Sequence, residues 1–272
     1  MSEQALTRKK SKVYREINTV IAVMAREITI FFKSPGMAIM SLAMPLVMMG
    51  MIGGNLMQNM AAGLGFQFGE FMLVGMLITM LFMITSMGMT SLVDDHDIDF
   101  NQEMLVSPVS RYSLVLGKIV GSSFAAIVSM VGTLIVGLIM GITLPLGKLL
   151  LVLALSPLVC LSGGAVAMIL IGLIKSKRTA NLAVMLITMP QMFLSGAIIP
   201  ITSSSGILLV LSRLMPMTYC LDLVRAVVYS DSLEYSNVVL FNPAINFAAI
   251  VALTIVCLLI GTFFFAQSEK NR

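Results

Sequence analysis

The chain has 272 residues, of which 58% are hydrophobic and 11% are charged, with a formal net charge of +4. Its mean hydropathy is +1.00, whereas soluble domains are typically only about 45–50% apolar. This composition excludes a soluble globular enzyme. It predicts an all-α membrane protein, because lipid offers no hydrogen-bond partner to exposed backbone and helices satisfy their own.

Residues 1–35 are predicted to form a separate segment that contains an amphipathic helix. Apolar residues recur at three- and four-residue intervals through residues 13–32, which is the pattern of one helical face. The other positions include the charged residues Arg15, Glu16, Arg26 and Glu27. Such a helix can lie on the headgroup layer or can dock a cytoplasmic partner, and the sequence favours neither.

Six apolar runs follow, each about long enough to cross a bilayer, which takes about 20 helical residues. They cover residues 36–56, 71–93, 115–142, 149–174, 180–201 and 244–266. We therefore predict one integral domain over residues 36–272 with six transmembrane helices. Gly117 and Gly121 lie four residues apart in one run, and this spacing of small residues lets helices approach closely.

Lysine and arginine are distributed unevenly between the connections, which predicts the orientation of the chain. Of 17 such residues, only Lys148, Arg213 and Arg225 fall on one side of the predicted spans. The positive-inside rule therefore places both termini in the cytoplasm. Lys118 lies near a span end, from which its side chain can reach the headgroups. The basic amino terminus is expected to meet anionic lipid rather than nucleic acid.

The connection at about 202–243 is predicted to be external and to contain two short helices before the last span. Residues 207–215 are apolar but too few to cross a bilayer, and residues 217–229 follow as a second helix. Asp222 and Arg225 are predicted to pair on it at i, i+3. We expect these helices to be re-entrant or interfacial. The prolines that interrupt the chain before each helix are Pro200 and Pro216.

The sequence contains no nucleotide-binding motif, so the chain is not predicted to be an enzyme. The Gly-Lys pairs at 117–118 and 147–148 lack the glycine that a phosphate-binding loop has five positions earlier. Residues 161–165 imitate a signature of ATP-hydrolysing subunits, but inside an apolar run such small residues serve helix packing. The acidic residues at 94–99 lack the pattern of a calcium loop, and no metal or cofactor is predicted for this chain.

The interiors of the predicted spans hold no ionisable residue. A charge at mid-bilayer costs at least about 2.5–3.5 kcal/mol and is normally kept only for function, as in ion-coupled pumps. An ion-coupled secondary carrier is therefore disfavoured, although it stays an alternative. A non-transporting membrane scaffold is a second alternative.

Three stretches together resemble the membrane subunits of ABC type-2 exporters. They are residues 99–118, with a glutamate, Ser-Pro, an arginine and Gly-Lys, then residues 194–201, and then residues 216–225. The first departs from the family pattern, because Asn101-Gln102 stands where the family often has Gly-Thr. With the amphipathic start and the six spans, the resemblance covers essentially the whole chain.

The resemblance implies the permease subunit of an ATP-driven efflux system in the cell membrane. Its partners are then separate ATPase subunits, which bind ATP and Mg, a second copy of this chain or a paralogous permease, and membrane lipid. Coupling is implied through the cytoplasmic loop at 94–112. The residues implied to contact the ATPase subunit are Asp99, Gln102, Glu103, Ser107, Pro108 and Arg111, with Arg15, Glu16, Arg26 and Glu27. Those implied to form an external gate are Pro200, Pro216, Tyr219, Asp222 and Arg225.

Overall fold

The structure is a computed structural model that describes residues 3–50, 67–93, 110–174, 176–201 and 206–270. Every regular element in this part of the chain is a helix, as the sequence predicts. In chain order these are α1 (Glu3–Lys33), α2 (Pro35–Met48), α3 (Phe68–Gly88), α4 (Arg111–Ile139), α5 (Leu146–Ile171), α6 (Lys177–Leu194), α7 (Ile207–Leu214), α8 (Pro216–Val228), α9 (Tyr235–Val238) and α10 (Pro243–Lys270).

Four stretches are long and apolar enough to cross a bilayer, and they coincide with four of the six predicted spans. These are Phe68–Val93, Arg111–Ile139, Leu146–Ile171 and Tyr235–Ser268. Helices α7 and α8 meet at an angle of 87°, and the bent pair adds a fifth crossing only if it is one span. The predicted spans at α2, which has 14 residues, and at α6, which has 18, stay predictions.

Helix α3 lies at the centre of the bundle, and helices α4, α5, α6 and α8 all pack on it. Of the most apolar stretch of α3, 78% is buried inside the fold, against 22% for the last candidate span. The apolar side chains of α3 are spread around its whole circumference, so the helix has no polar face. This distribution is typical of a helix that is covered on all sides. Helix α10 packs chiefly on α5 and leaves large side chains such as Ile255 and Phe263 exposed.

Small residues set the distance between the central helices. An added Cβ on Gly163 of α5 would stand 2.5 Å from the Phe82 carbonyl oxygen of α3. Ser86 Oγ donates a hydrogen bond to the Gly163 carbonyl oxygen at 2.8 Å, and Gly164 lies against Ile119 of α4. The prediction that these small residues serve helix packing is therefore confirmed.

Candidate functional site

The candidate residues gather at two opposite ends of the bundle. At the α1 end, α4 begins and α10 finishes, and Arg111 Nη1 donates to the Ala266 carbonyl oxygen at 3.3 Å. At the α8 end, α8 packs on α3, and Glu234, just before α9, accepts the N–H of Gln67, just before α3, at 3.3 Å. The following members of the implied ATPase contact lie outside the described residues: Asp99, Gln102, Glu103, Ser107 and Pro108.

Helix α1 runs alongside α4 in the same direction. The contact begins where the Glu16 carboxylate accepts the Ser110 N–H, at 3.1 and 3.2 Å for its two oxygens. It extends to the edge-on packing of the Phe31 and Phe124 rings, whose centroids are 5.9 Å apart. About 22 Å of helix separates these two contacts at 1.5 Å rise per residue. The predicted helix is therefore present, and α4 covers one of its sides.

The side of α1 that packs on α4 includes only part of the predicted apolar face, namely Val20, Met24 and Phe31. Val23 is buried, and the carboxylate of Glu16 is turned toward α4. Val13, Ile17 and Ile21 belong to the predicted face, yet each is about half exposed. The apolar arc of α1 is thus wider than its contact with α4, and the remainder faces away from the bundle.

Gly117 and Gly121 allow the two helices to approach this closely. An added Cβ on Gly117 would lie 3.0 Å from Val23 Cβ, and one on Gly121 would lie 2.6 Å from Glu27 Cβ. A larger residue at either position has to displace α1 or its side chains. The predicted close packing of this glycine pair is confirmed, and its partner is the amphipathic helix.

Glu27 and Lys118 form an ion pair between the same two helices. Lys118 Nζ lies 2.5 Å from Glu27 Oε1, and the two side chains are 1% and 11% exposed. Arg26 Nη1 lies 3.6 Å from the same oxygen. The prediction that Lys118 reaches the headgroups is wrong, because Glu27 compensates its charge inside the fold. Contact of Arg15, Glu16, Arg26 and Glu27 with an ATPase stays a prediction.

At the α8 end, Asp222 binds the segment that leads into α10. Its carboxylate accepts the N–H groups of Leu240 at 2.7 Å and Phe241 at 2.8 Å, and the side-chain amide of Asn246 at 2.7 Å. Asp222 is only 2% exposed, so these three donors replace the water that a carboxylate otherwise requires. The carboxylate therefore fixes α8 to the start of α10.

Arg225 binds different neighbours of α8. Its guanidinium lies 3.5 Å from the centroid of the Phe71 ring, and Nη2 is 3.4 Å from the carbonyl oxygens of Phe71 and Ala197. The residue is 4% exposed, and Nε has no partner among the described residues. The predicted Asp222–Arg225 ion pair is wrong, because no salt bridge joins them in this part of the chain and other elements supply their partners.

A tight turn after α6 brings Ala197 between Arg225 and α3. Gly196 has φ +82°, a conformation that glycine adopts without strain, and Pro200 follows in the same turn. On α3, an added Cβ at Gly75 would stand 2.0 Å from the Ala197 carbonyl oxygen. The turn and α3 are therefore in direct backbone contact.

Pro216 and Tyr219 lie at the bend between α7 and α8. Pro216 is the first residue of α8, where a helix needs no N–H donor. Tyr219 Oη donates to the Arg213 carbonyl oxygen at 2.7 Å. The sequence-based set of site residues omits Gln191, whose buried Oε1 accepts the Met217 N–H at 3.4 Å. The sequence feature that marks Gln191 is a side-chain amide inside an apolar run.

Residues 18–229 match a family model described as ABC-2 type transporter. The matched range starts within α1, contains the loop at 94–112 and finishes just after α8, so it includes residues from both ends of the bundle. No curated protein matches the chain.

Proposed function

The chain belongs to the ABC-2 type transporter family, and on that basis we propose that it is the membrane subunit of an ATP-driven exporter. Membrane subunits of this family are transport subunits, are generally not catalytic themselves and usually work with an ATP-binding subunit. In this proposal the chain crosses the cell membrane six times with both termini in the cytoplasm. Two copies form the translocation pathway, and each binds a separate ATPase subunit.

The observation that carries this proposal is the extent of the family match, which covers residues 18–229. The arrangement of the α1 end supports it. Arg111, the first residue of α4, binds the end of α10, and the amphipathic helix binds Ser110 just before it, so both lie at the same end of the bundle. The loop between α3 and α4 starts and finishes there, so a soluble partner that binds the loop also meets α1.

The proposal assigns the two groups of residues different roles. Glu103 and Arg111 are the central contacts of the ATPase subunit. Asp99, Gln102, Ser107 and Pro108 complete the loop contact, and Arg15, Glu16, Arg26 and Glu27 flank it. At the other end, α7 and α8 form the external gate, with Pro200, Pro216, Tyr219, Asp222 and Arg225. Lipid covers the outer helices.

Co-purification tests the assignment. The tagged chain is expressed with the ATPase subunit of its own cell and purified in detergent, and the ATPase activity of the complex is compared with that of the free ATPase. Charge reversal by Glu103→Lys and Arg111→Glu is expected to reduce both co-purification and stimulation. Asp231→Asn is the matched control, because this exposed carboxylate lies at the α8 end.

The result that contradicts the proposal is a doubly reversed variant that binds and stimulates the ATPase as the parent does. Arg111 also donates to the Ala266 carbonyl oxygen, so a thermal unfolding curve for each variant separates lost binding from lost folding. Transport by the chain alone in vesicles, driven by an ion gradient, would instead identify a secondary carrier.

A further inference from the structure

We propose that α7 binds an anionic phospholipid of the outer leaflet, with the acyl chains on its exposed apolar side and the phosphate at the guanidinium of Arg213. The inference rests on the proposed function for its orientation, in which the α8 end faces outward, but it needs no ATPase partner. Arg213 is not among the residues assigned to the external gate, and a lipid held there would act on that gate from the membrane.

The apolar side of α7 faces away from the protein. Its outward residues occupy positions i, i+3, i+4 and i+7, which form one face of a helix, here called the outer stripe: Ile207, Val210, Leu211 and Leu214. Ile207 is 80% exposed, whereas the polar Ser212 is buried. A helix on a water-exposed surface packs its apolar side inward and turns its polar side out. The reverse arrangement in α7 is that of a helix whose outer side meets acyl chains.

Arg213 adds a positive charge beside the outer stripe. The residue is exposed, and within the described ranges no carboxylate forms a salt bridge with it. Its guanidinium lies 5.6 Å from the centroid of the Phe241 ring, just before Pro243, where α10 begins. Aromatic residues at the start of a span mark the level of the lipid headgroups. The charge and the stripe therefore match the two parts of one phospholipid.

Tyr219 and Phe241 hold Arg213 in place. Tyr219 Oη donates to the Arg213 carbonyl oxygen at 2.7 Å, and its ring stacks on that of Phe241 with the centroids 5.8 Å apart. A guanidinium over an aromatic ring keeps N–H groups free to bind a phosphate in pairs. Tyr219 and Phe241 are thus positioning residues, and Arg213 is the residue that contacts the lipid.

Charge favours an anionic lipid over two other occupants of this surface. The ammonium of phosphatidylcholine partly compensates its own phosphate, whereas phosphatidylglycerol carries no such cation. A second copy of this chain would present the same patch on both sides of a twofold contact. Two Arg213 side chains would then enter one interface, and α7 contains no acidic residue to compensate them.

Contacts at the bend join the lipid-binding helix to the gate. Thr218 Oγ1 donates to the Ser212 carbonyl oxygen at 2.6 Å, next to the bond between Tyr219 and Arg213. Among the described elements α7 packs chiefly on α6 and α8. A lipid that holds α7 therefore stabilises the bent arrangement of α7 and α8.

Fluorescence quenching tests the site in the purified full chain, reconstituted in phosphatidylcholine nanodiscs without an ATPase. Val210→Trp places a single indole on the outer stripe, because the chain contains no tryptophan. Brominated phosphatidylglycerol or brominated phosphatidylcholine is added at the same low mole fraction. Phosphatidylglycerol is expected to quench about two- to fivefold more, as an exposed charge pair would favour it. Ser230→Trp, at an exposed polar position after α8, should show no preference.

Variants of the Val210→Trp protein identify the group that binds the phosphate. Arg213→Gln is expected to abolish the preference, and Arg213→Lys to keep part of it, since lysine retains the charge without the paired donors. Arg178→Gln is the matched control, because it removes an exposed arginine at the start of α6. Thermal unfolding shows whether each variant is folded. Equal quenching by the two lipids in the parent, or a preference that survives Arg213→Gln, would overturn the proposal.

Phe241→Leu tests the positioning role separately. The change keeps the charge of Arg213 and the backbone N–H of residue 241 that binds Asp222, and it removes only the ring beneath the guanidinium. A weaker preference for phosphatidylglycerol is expected. A preference equal to that of the parent would overturn the positioning role.

Other occupants and the orientation give results of their own. If neither lipid quenches Val210→Trp, and Val210→Cys forms disulfides between copies in the Cys257→Ala protein, a second copy covers the stripe and the proposal is wrong. Labelling of Ser230→Cys by an impermeant reagent on intact cells is expected; protection there would overturn the assignment to the outer leaflet. If no ATPase co-purifies with the parent, the proposed function is wrong, whereas the lipid preference is unaffected.

Discussion

Asp222 and Arg225 lie one helical turn apart on α8 and bind two different neighbours of that helix. Asp222 accepts hydrogen bonds from the segment that leads into α10, whereas Arg225 lies over Phe71 of α3 and reaches the carbonyl oxygen of Ala197. Opposite charges on a short helix thus serve two separate attachments. The position of α8 depends on both, so each attachment can be tested alone.

Replacement of Asp222 by alanine is expected to lower the free energy of unfolding by on the order of 3 kcal/mol. The change leaves the N–H groups of Leu240 and Phe241 and the amide of Asn246 without their acceptor, and an unsatisfied buried donor costs about 1–3 kcal/mol. Thermal unfolding in detergent measures the effect. Asp231→Asn is the control, and equal melting temperatures for the parent and Asp222→Ala would refute the expectation.

Replacement of Arg225 by lysine is expected to destabilise the fold by about 1–3 kcal/mol, because an ammonium cannot stack on Phe71 as a planar guanidinium does. Arg225→Met is expected to be at least as stable as Arg225→Lys, since it removes a buried charge and keeps an apolar stem. Denaturant unfolding of the three proteins gives the order. A methionine variant clearly less stable than the lysine variant would show that the charge itself stabilises α8.

Replacement of Gly75 by alanine is expected to cost about 1–3 kcal/mol or more, because the new Cβ would stand 2.0 Å from the Ala197 carbonyl oxygen. The atom it meets belongs to the backbone, so α3 or the turn after α6 has to shift. Gly36→Ala is the control, since an added Cβ there meets nothing within 4 Å. The yield of folded protein and its melting temperature report the difference, and indistinguishable values for the two variants would argue against the contact.

A single tryptophan at Ile21 is expected to be quenched by lipids with brominated acyl chains. The chain contains no tryptophan, so an introduced indole is the only one that fluoresces. Ile21 lies on the half of the apolar arc that α4 leaves exposed, whereas Asn18 is an exposed polar position nearby. Asn18→Trp should be quenched less. Equal quenching at both positions would mean that this side of α1 does not meet the lipid surface selectively.

Hydropathy predicted the helices that cross lipid, where the backbone groups can hydrogen-bond only within the helix. The helices α3, α4, α5 and α10 accordingly coincide with predicted spans. Periodicity predicted α1 as a helix with an apolar face, but it did not predict which side of the helix packs on α4. An apolar arc shows which residues avoid water, and it does not show which of them meet protein. The pair of Gly117 with Gly121 and the charge of Lys118 in an apolar run are the sequence features that mark the packed side.

Charge spacing along α8 gave the wrong partners for Asp222 and Arg225. An i, i+3 pair is the default for exposed charges on a helix, but both residues are buried. Their partners are backbone groups at Leu240, Phe241 and Ala197, which are far away in the sequence. Every residue offers such groups, so no side-chain pattern identifies the ones that will be used.

The central position of α3 has a consequence for biosynthesis. The ribosome makes α3 before α4, α5 and α8, which later enclose it. For an interval the newly made helix therefore lacks these protein neighbours. A helix with a polar face would be unstable in hydrocarbon during that interval. Because α3 is apolar on every side, acyl chains can surround it first and the later helices can then replace them. Lipid can therefore stabilise α3 before the bundle is complete.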